Sequence, residues 1–310
     1  YKFKNISKLR FYNKVFRTAE IDSTFYRYPT EGTAFGWLRY TDPSFIFTAK
    51  VPKQITHEKM LNLKEGVEHD IDKFCGLMRR LLAAGKLGCL LIQLPPSFTY
   101  DYVERLENFF EVLPREFSFA VEFRDLSWMN DETWKLLAKH RVAYTNVDEP
   151  LLPGDVKVTS DIAYFRWHGR GRRPWFDYRY KEEELKPWIP KVKETASKVK
   201  KVYGYFNNHY HGYAVENCLE VLEMLGVLTP EQAEAKAHIQ KHFLMPRRRE
   251  KAGVTTLDQW TTESLDGLLQ ELTGTERLKR ARRIKDSEVT VEELSDAFVK
   301  ASVRNYHVVI

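Results

Sequence analysis

The chain has 310 residues, a formal net charge of +6, 43% hydrophobic and 30% charged residues. That apolar fraction, with 14% aromatics, excludes a disordered or fibrous chain and fills either one barrel of roughly 250 residues or two smaller domains. No window approaches the ~18 consecutive apolar residues of a membrane span, and the opening YKFKNISKLR lacks the apolar centre of a signal peptide. The cysteines Cys75, Cys89 and Cys218 are scattered, which fits a reducing cytoplasm rather than a disulfide framework. Abundant Lys, Arg and Glu with few Cys and Met is also the composition of a thermophile.

Short apolar, β-branched or aromatic runs recur along the chain at 16–22 (FRTAEID), 45–51 (FIFTAKV), 87–94 (LGCLLIQL), 117–123 (FSFAVEF), 142–148 (VAYTNVD), 162–168 (IAYFRWH) and 201–208 (KVYGYFNN). They read as buried strands. Helical patterns lie between or after them at 67–84, 102–113, 131–140, 182–199 and 214–225, with Asn130 as an N-cap and Gly85 as a C-cap. Strand-then-helix alternation predicts parallel strands with helical crossovers. Seven strands are one short of a closed (β/α) barrel, so an eighth is expected upstream of Tyr1. The alternative, an open doubly wound sheet, lacks its glycine-rich nucleotide turn.

Beyond residue 226 the strand signals stop. Thr229-Pro230-Glu231 reads as a helix start, and 257–272 and 291–303 carry further helical patterns. Arg247–Arg249 (RRR) and 277–283 (RLKRARR) are basic clusters. Residues 1–225 are therefore expected to form the barrel and 226–310 a helical extension.

Buried parallel strands are apolar almost throughout, so polar residues at their C-terminal ends are informative. Glu20 and Asp22 end the first run, Lys50 the second, Gln93 the third, Glu122 and Arg124 the fourth. Asn146 and Asp148 end the fifth, Arg166 and His168 the sixth, Asn207, Asn208 and His209 the seventh. In a barrel these ends converge on the rim that holds active sites, where unpaired buried charge is costly. A functional rim is expected, against the competing reading of a structural ion-pair network. Glu20, Lys50, Glu122, Asp148 and His168 are the catalytic candidates, with Glu122, Asp148 and His168 for acid–base chemistry or for holding a divalent metal ion and Lys50 for stabilising phosphate charge or attacking an abasic sugar. Arg124, Arg166, Tyr26, Arg27, Gln93, Asn207, Asn208 and Trp175 are the candidate substrate contacts.

The loop 168–175 (HGRGRRPW) would turn guanidinium groups and Trp175 toward a phosphate and its bases, with Tyr178 and Tyr180 following. The bland alternative is a solvated basic loop. His57 reads as a loop residue, and His209-Tyr210-His211 has a spacing too common to specify a metal.

The stretches AEIDSTFYRYP (19–29), FIFTAKVP with ITH (45–57), KLGCLLIQLPPSF (86–98), AVEFRDLSW (120–128), YFRWHG (164–169) and YGYFNNHYHGYAVEN (203–217) together resemble the YecE-like family, domain-of-unknown-function family 72, in family order across roughly residues 10–225. The resemblance implies a TIM-type barrel and no settled activity. It departs at Ser23, where the family often has Asn, and at His209, where it has an acidic residue. By fold analogy the barrel is similar to endonuclease IV-like and xylose isomerase-like barrels. The expected function is a nucleic-acid-processing enzyme, a repair endonuclease or glycosylase with nucleic acid as partner. The alternatives are a sugar or sugar-phosphate hydrolase or isomerase, and a non-catalytic binding protein or scaffold.

Overall fold

The computed structural model describes residues 8–172 and 174–244 and, as backbone, 306–309. Seven parallel strands form the barrel: β1 (Thr18–Ile21), β2 (Ile46–Lys50), β3 (Leu87–Gln93), β4 (Phe119–Glu122), β5 (Ala143–Asp148), β6 (Ile162–Trp167) and β7 (Lys201–Phe206). Each falls inside or against a run marked by its apolar sequence. The place expected for an upstream strand, between β1 and β7, is taken by β8 (Tyr306–Val309), which pairs antiparallel with both neighbours. The helical patterns at 257–272 and 291–303, with both basic clusters, lie outside the described residues.

The helices are α1 (Lys8–Tyr12), α2 (Ser23–Tyr26), α3 (Glu31–Arg39), α4 (Val67–Ala83), α5 (Val103–Glu111), α6 (Asp131–His140), α7 (Glu182–Leu185), α8 (Trp188–Ala196), α9 (Tyr213–Leu225) and α10 (Pro230–Leu244). α4 shows why amphipathic spacing succeeds: Val67, Ile71, Phe74, Cys75, Met78 and Leu81 recur on one buried face. The Asn130 side chain caps α6 by accepting from Thr133 N at 2.9 Å. The single helix expected at 182–199 is two, because Pro187 and Pro190 lack a backbone N–H and Pro187 restricts Lys186 before it. α3, capped by Thr30, carries no clear helical pattern in the sequence because Gly32 and Gly36 dilute its apolar face. At α10, Thr229 and Gln232 bond reciprocally, at 3.0 and 3.3 Å, in a capping box. The same Gln232 donates to Val15 O at 2.9 Å, and Ile239 is buried, so α10 packs on the barrel beside α9.

Inside the barrel the side chains are layered. Ile46, Cys89, Leu91, Ala120, Ala143, Ile162 and Tyr203 form an apolar floor. There the backbone of β3 passes so close that a Cβ on Gly88 would lie 2.5 Å from the Tyr203 hydroxyl. Above the floor come hydroxyls, with Thr48 and Tyr164 paired at 2.8 Å and Thr18 and Tyr205 at 3.2 Å. Strand alternation then carries the inward series onward to Glu20, Glu122 and Arg166.

Candidate site at the barrel mouth

Arg166 is the centre of the upper layer. Its Nη2 donates to Glu20 Oε1 at 2.7 Å and its Nη1 to Glu122 Oε2 at 2.6 Å. Glu20 Oε2 also accepts from the Tyr164 hydroxyl at 2.6 Å. All four side chains are buried. Burial pushes the Glu122 carboxyl up, but Arg124, Arg166 and His168 outweigh it and hold it well below the ordinary carboxylate range. Burial, then Glu20, raises the Tyr164 phenol.

The chain of charges continues outward through Arg124. Its Nη2 lies 2.5 Å from Glu122 Oε1, and its Nη1 donates to Glu149 Oε2 at 2.5 Å. His168 is buried against this pair. Its Nε2 is 3.4 Å from Glu122 Oε1 and 3.3 Å from Arg124 Nη2, while Asn207 Nδ2 lies 3.0 Å from its Nδ1. Burial, then Arg124, pushes the His168 imidazole down to about 3 against the pull of Glu122. The ring is neutral at any ordinary pH, with both nitrogens engaged.

Lys50 reaches the same mouth from β2. Its Nζ pairs with Asp22 at 2.6 Å and lies 5.4 Å from the Phe25 ring centroid. His57 packs edge-on against Phe25 at 5.0 Å, and its Nδ1 is 2.9 Å from the Thr56 hydroxyl. Burial, then Lys50, Arg124 and Lys53, push the His57 pKa down. Gln93, register partner of Glu122, has its Oε1 buried without a hydrogen bond.

The structure brings the charged Glu20, Lys50, Glu122, Arg124 and Arg166 to one mouth, with the neutral His168 and Asn207 bonded beside them and Gln93 in register with Glu122. Asp148 is corrected. Its register partner is Trp167, the outward neighbour of Arg166, so its carboxylate faces the helices. There it accepts from Arg170 Nε and Nη2 at 2.7 and 2.6 Å and from Trp188 Nε1 at 2.7 Å. Asn208 is likewise turned outward and buried, donating to Tyr178 O at 2.8 Å and to Asn217 Oδ1 at 2.9 Å. Tyr26 is 66% exposed and Arg27 is exposed, so neither lines the buried network.

The arginine-rich loop is also folded back. Arg170 is held by Asp148, the half-buried Trp175 accepts through its carbonyl from Gly171 N at 3.1 Å, and Tyr180 is buried with its hydroxyl accepting from Gly169 N at 2.8 Å. Arg172 is exposed. His209 stacks on Phe176 at 5.7 Å rather than facing a shared ligand site.

Glu149 is the residue that sequence reasoning missed. It follows Asp148 and by strand parity faces the mouth. Burial, opposed by Arg124 and helped by Glu122, raises its pKa. A parity count anchored on Arg166 is the signal that finds it. As to a divalent ion, Glu20 and Glu122 bracket a guanidinium, so a second cation would meet Arg166. Among the described residues no group of three or more His, Cys, Asp and Glu is set to hold a metal. The donor set does not fit one.

Comparison with known proteins places these features in a wider set. A family model described as "Protein of unknown function DUF72" matches residues 2–240. The UPF0759 protein YunF of Bacillus subtilis is 25% identical over 260 residues, spanning 73% of this chain and 91% of YunF. The UPF0759 protein YecE of Escherichia coli is 29% identical over 119 residues, 38% of this chain and 42% of that one. Among solved structures, a DUF72 family protein of Thermotoga maritima is 37% identical with a TM-score of 0.60, covering 68% of this chain and 85% of that one. One from Enterococcus faecalis is 24% identical with a TM-score of 0.63, covering 70% and 93%, and it shares the fold.

Proposed function

This chain belongs to the DUF72 family, whose description names no activity, and we propose that it is an enzyme that processes nucleic acid at the barrel mouth, a hydrolase or lyase of the repair endonuclease or glycosylase kind. One observation carries the reading. His57 is held toward its neutral form, beyond the effect of burial, by Lys50 and Lys53 from one segment and Arg124 from another, against the opposing Glu58. Cations gathered beside His57 attract an anion, and a phosphate entering there would compete for them with Asp22, Glu58, Glu122 and Glu149. The exposed Tyr26, edge-on to Phe25 at 5.2 Å, offers a ring beside that phosphate for a base to stack upon.

In this reading the layers divide the work. Glu20, Arg166, Glu122, Tyr164 and His168 are buried and engaged with one another, although Arg166 Nε has no hydrogen-bond partner among the described residues, so they hold Arg124 in place rather than reach the ligand. Lys50 and Arg124 take the phosphate charge, and Gln93 and Asn207 orient the substrate. The histidines are neutral before the anion arrives, and its charge raises their pKa.

The test is a panel of damaged and intact oligonucleotides, incubated with and without Mg²⁺, Mn²⁺ or Zn²⁺, alongside binding measured across a salt series. Expected are cleavage or base release on some members, and binding whose logarithm falls with the logarithm of salt. Lys50→Ala lowers that slope by about one phosphate contact. No processing together with no salt-sensitive binding overturns the proposal. A sugar phosphate is the second reading, favoured by the cavity of about 230 Å³ beside Glu149, below the roughly 300–1,000 Å³ of pockets for larger ligands. Stabilisation by a sugar phosphate with no response to oligonucleotides selects it.

A further inference from the structure

The cavity of about 230 Å³ at the C-terminal end of β5 is lined by Asp148, Glu149, Pro150, Leu152, Gly154 and Arg170. Asp148 and Glu149 both contribute to its wall, and their carboxyl groups differ in what they have left to offer. Both Asp148 oxygens are taken, one by Arg170 Nε and the other by Arg170 Nη2 and Trp188 Nε1. Glu149 gives Oε2 to Arg124, while its Oε1 accepts no hydrogen bond from the described residues. Of the other carboxyls in the network, Glu20 and Glu122 lie beneath the mouth with no exposed surface. Glu149, buried with only 2% of its side chain exposed, thus combines an oxygen without a partner among the described residues, a place in the cavity wall and a direct link to Arg124.

We infer that Glu149 is the proton-exchanging carboxyl of this site, and that the cavity over β5 receives the part of the ligand carrying the oxygen that gains or loses the proton. The inference rests on the function proposed above and names the group that acts within it. As an acid, Glu149 passes the Oε1 proton to the departing oxygen of a phosphate ester. That oxygen keeps the electrons of the bond that breaks. Water supplies the new oxygen to phosphorus, and its proton restores Glu149. Between the two transfers the carboxylate is held by Arg124, already in contact. Burial and the neighbouring Glu122 keep the proton on Glu149 to a higher pH than an ordinary glutamate.

The experiment is carboxyl modification of the full chain by a water-soluble carbodiimide with glycinamide, followed site by site by peptide mass mapping across mildly acidic to neutral pH. Glu149 is expected to couple faster than Asp148, Glu20 and Glu122, with a midpoint above that of an exposed glutamate. Coupling no faster than Asp148, or an ordinary midpoint, overturns the inference. Glu149→Gln, which keeps the side-chain shape, is compared in the oligonucleotide panel with its thermal midpoint as a folding control. Loss of one limb of the pH profile is the expected result, and an unchanged rate and profile overturns the assignment. Selective coupling at Glu149 with no oligonucleotide processed leaves Glu149 in its role and removes nucleic acid as the substrate.

Discussion

Arg166 Nη1 donates to Glu122 Oε2 at 2.6 Å, and neither side chain has any exposed surface. Two cross-barrel strands are thereby joined by an ion pair that water does not reach. The desolvation of such a pair offsets much of its attraction, so it adds little net stability while both members are present. Removing one member is a different matter, because Glu20 and Glu122 would then face each other as buried like charges.

Arg166→Met is therefore expected to lower the unfolding free energy by about 3–5 kcal/mol, read from urea denaturation. Arg166→Lys should recover little, since a single ammonium replaces the fork that reaches both Glu20 and Glu122. A loss below about 1 kcal/mol for Arg166→Met would mean that the two carboxyls protonate at no cost, against the depressed pKa of Glu122.

The His168 imidazole has its pKa pushed down to about 3, whereas an unfolded histidine titrates near ~6.5. Between those values the unfolded chain binds a proton that the native ring refuses. Its contribution to stability is thus complete above the unfolded value and is lost progressively as pH falls toward the folded one. His168→Gln should flatten the part of the acid destabilisation between roughly pH 6.5 and 3. Nitrogen-15 NMR should show a neutral ring at pH 5. Asn207 Nδ2 lies by Nδ1, while Arg124 Nη2 and Glu122 Oε1 both lie by Nε2, and the same spectrum reads which nitrogen holds the proton. An imidazolium spectrum at pH 5 would show the site is wetter than its burial implies.

The barrel was legible because each β run is short, apolar and followed by a helical pattern, and the rim because a charge at the end of such a run is costly anywhere else. Strand orientation was less legible. In β5 the polar residues Asn146 and Asp148 share one parity, and polarity alone turns them inward. They face outward, where Asn146 accepts from Lys157 N at 2.7 Å and Asp148 from Trp188, partners far along the chain that no local pattern announces. The inward side holds Thr145, Val147 and then Glu149. The arginine loop misled for a similar reason. Arg170 reads as a phosphate ligand until its carboxylate partner, twenty-two residues earlier, is known.

The outward position of Asp148 carries its own expectation. Asp148→Asn removes the charge that holds Arg170 and weakens the acceptor for Trp188. A loss of about 1–3 kcal/mol is expected, with a shift in tryptophan emission, while the His168 titration stays where it is. A displaced His168 titration would show that the Asp148 charge reaches the buried histidine.

Gly169 shows how closely the loop after β6 is seated on the barrel. Its φ of +97° is one that side chains rarely adopt, and a Cβ there would lie 2.3 Å from the Trp175 carbonyl oxygen and 2.9 Å from the Tyr178 Cβ. Backbone strain and the clash act together, since the carbonyl is itself fixed by Gly171 N and cannot swing away cheaply. Gly169→Ala should therefore release the loop 168–181 rather than merely strain it, at a cost of about 1–3 kcal/mol. The Gly169 N–H bond to Tyr180 and the Arg170 pair with Asp148 would loosen with it. Limited proteolysis should then cut the variant near Arg170 or Arg172 at protease levels that leave the parent chain whole, while Gly171→Ala, where φ is ordinary and the nearest atom is 3.1 Å away, should be cut more slowly than Gly169→Ala. Equal resistance of Gly169→Ala and the parent would mean that the loop has room the geometry denies it.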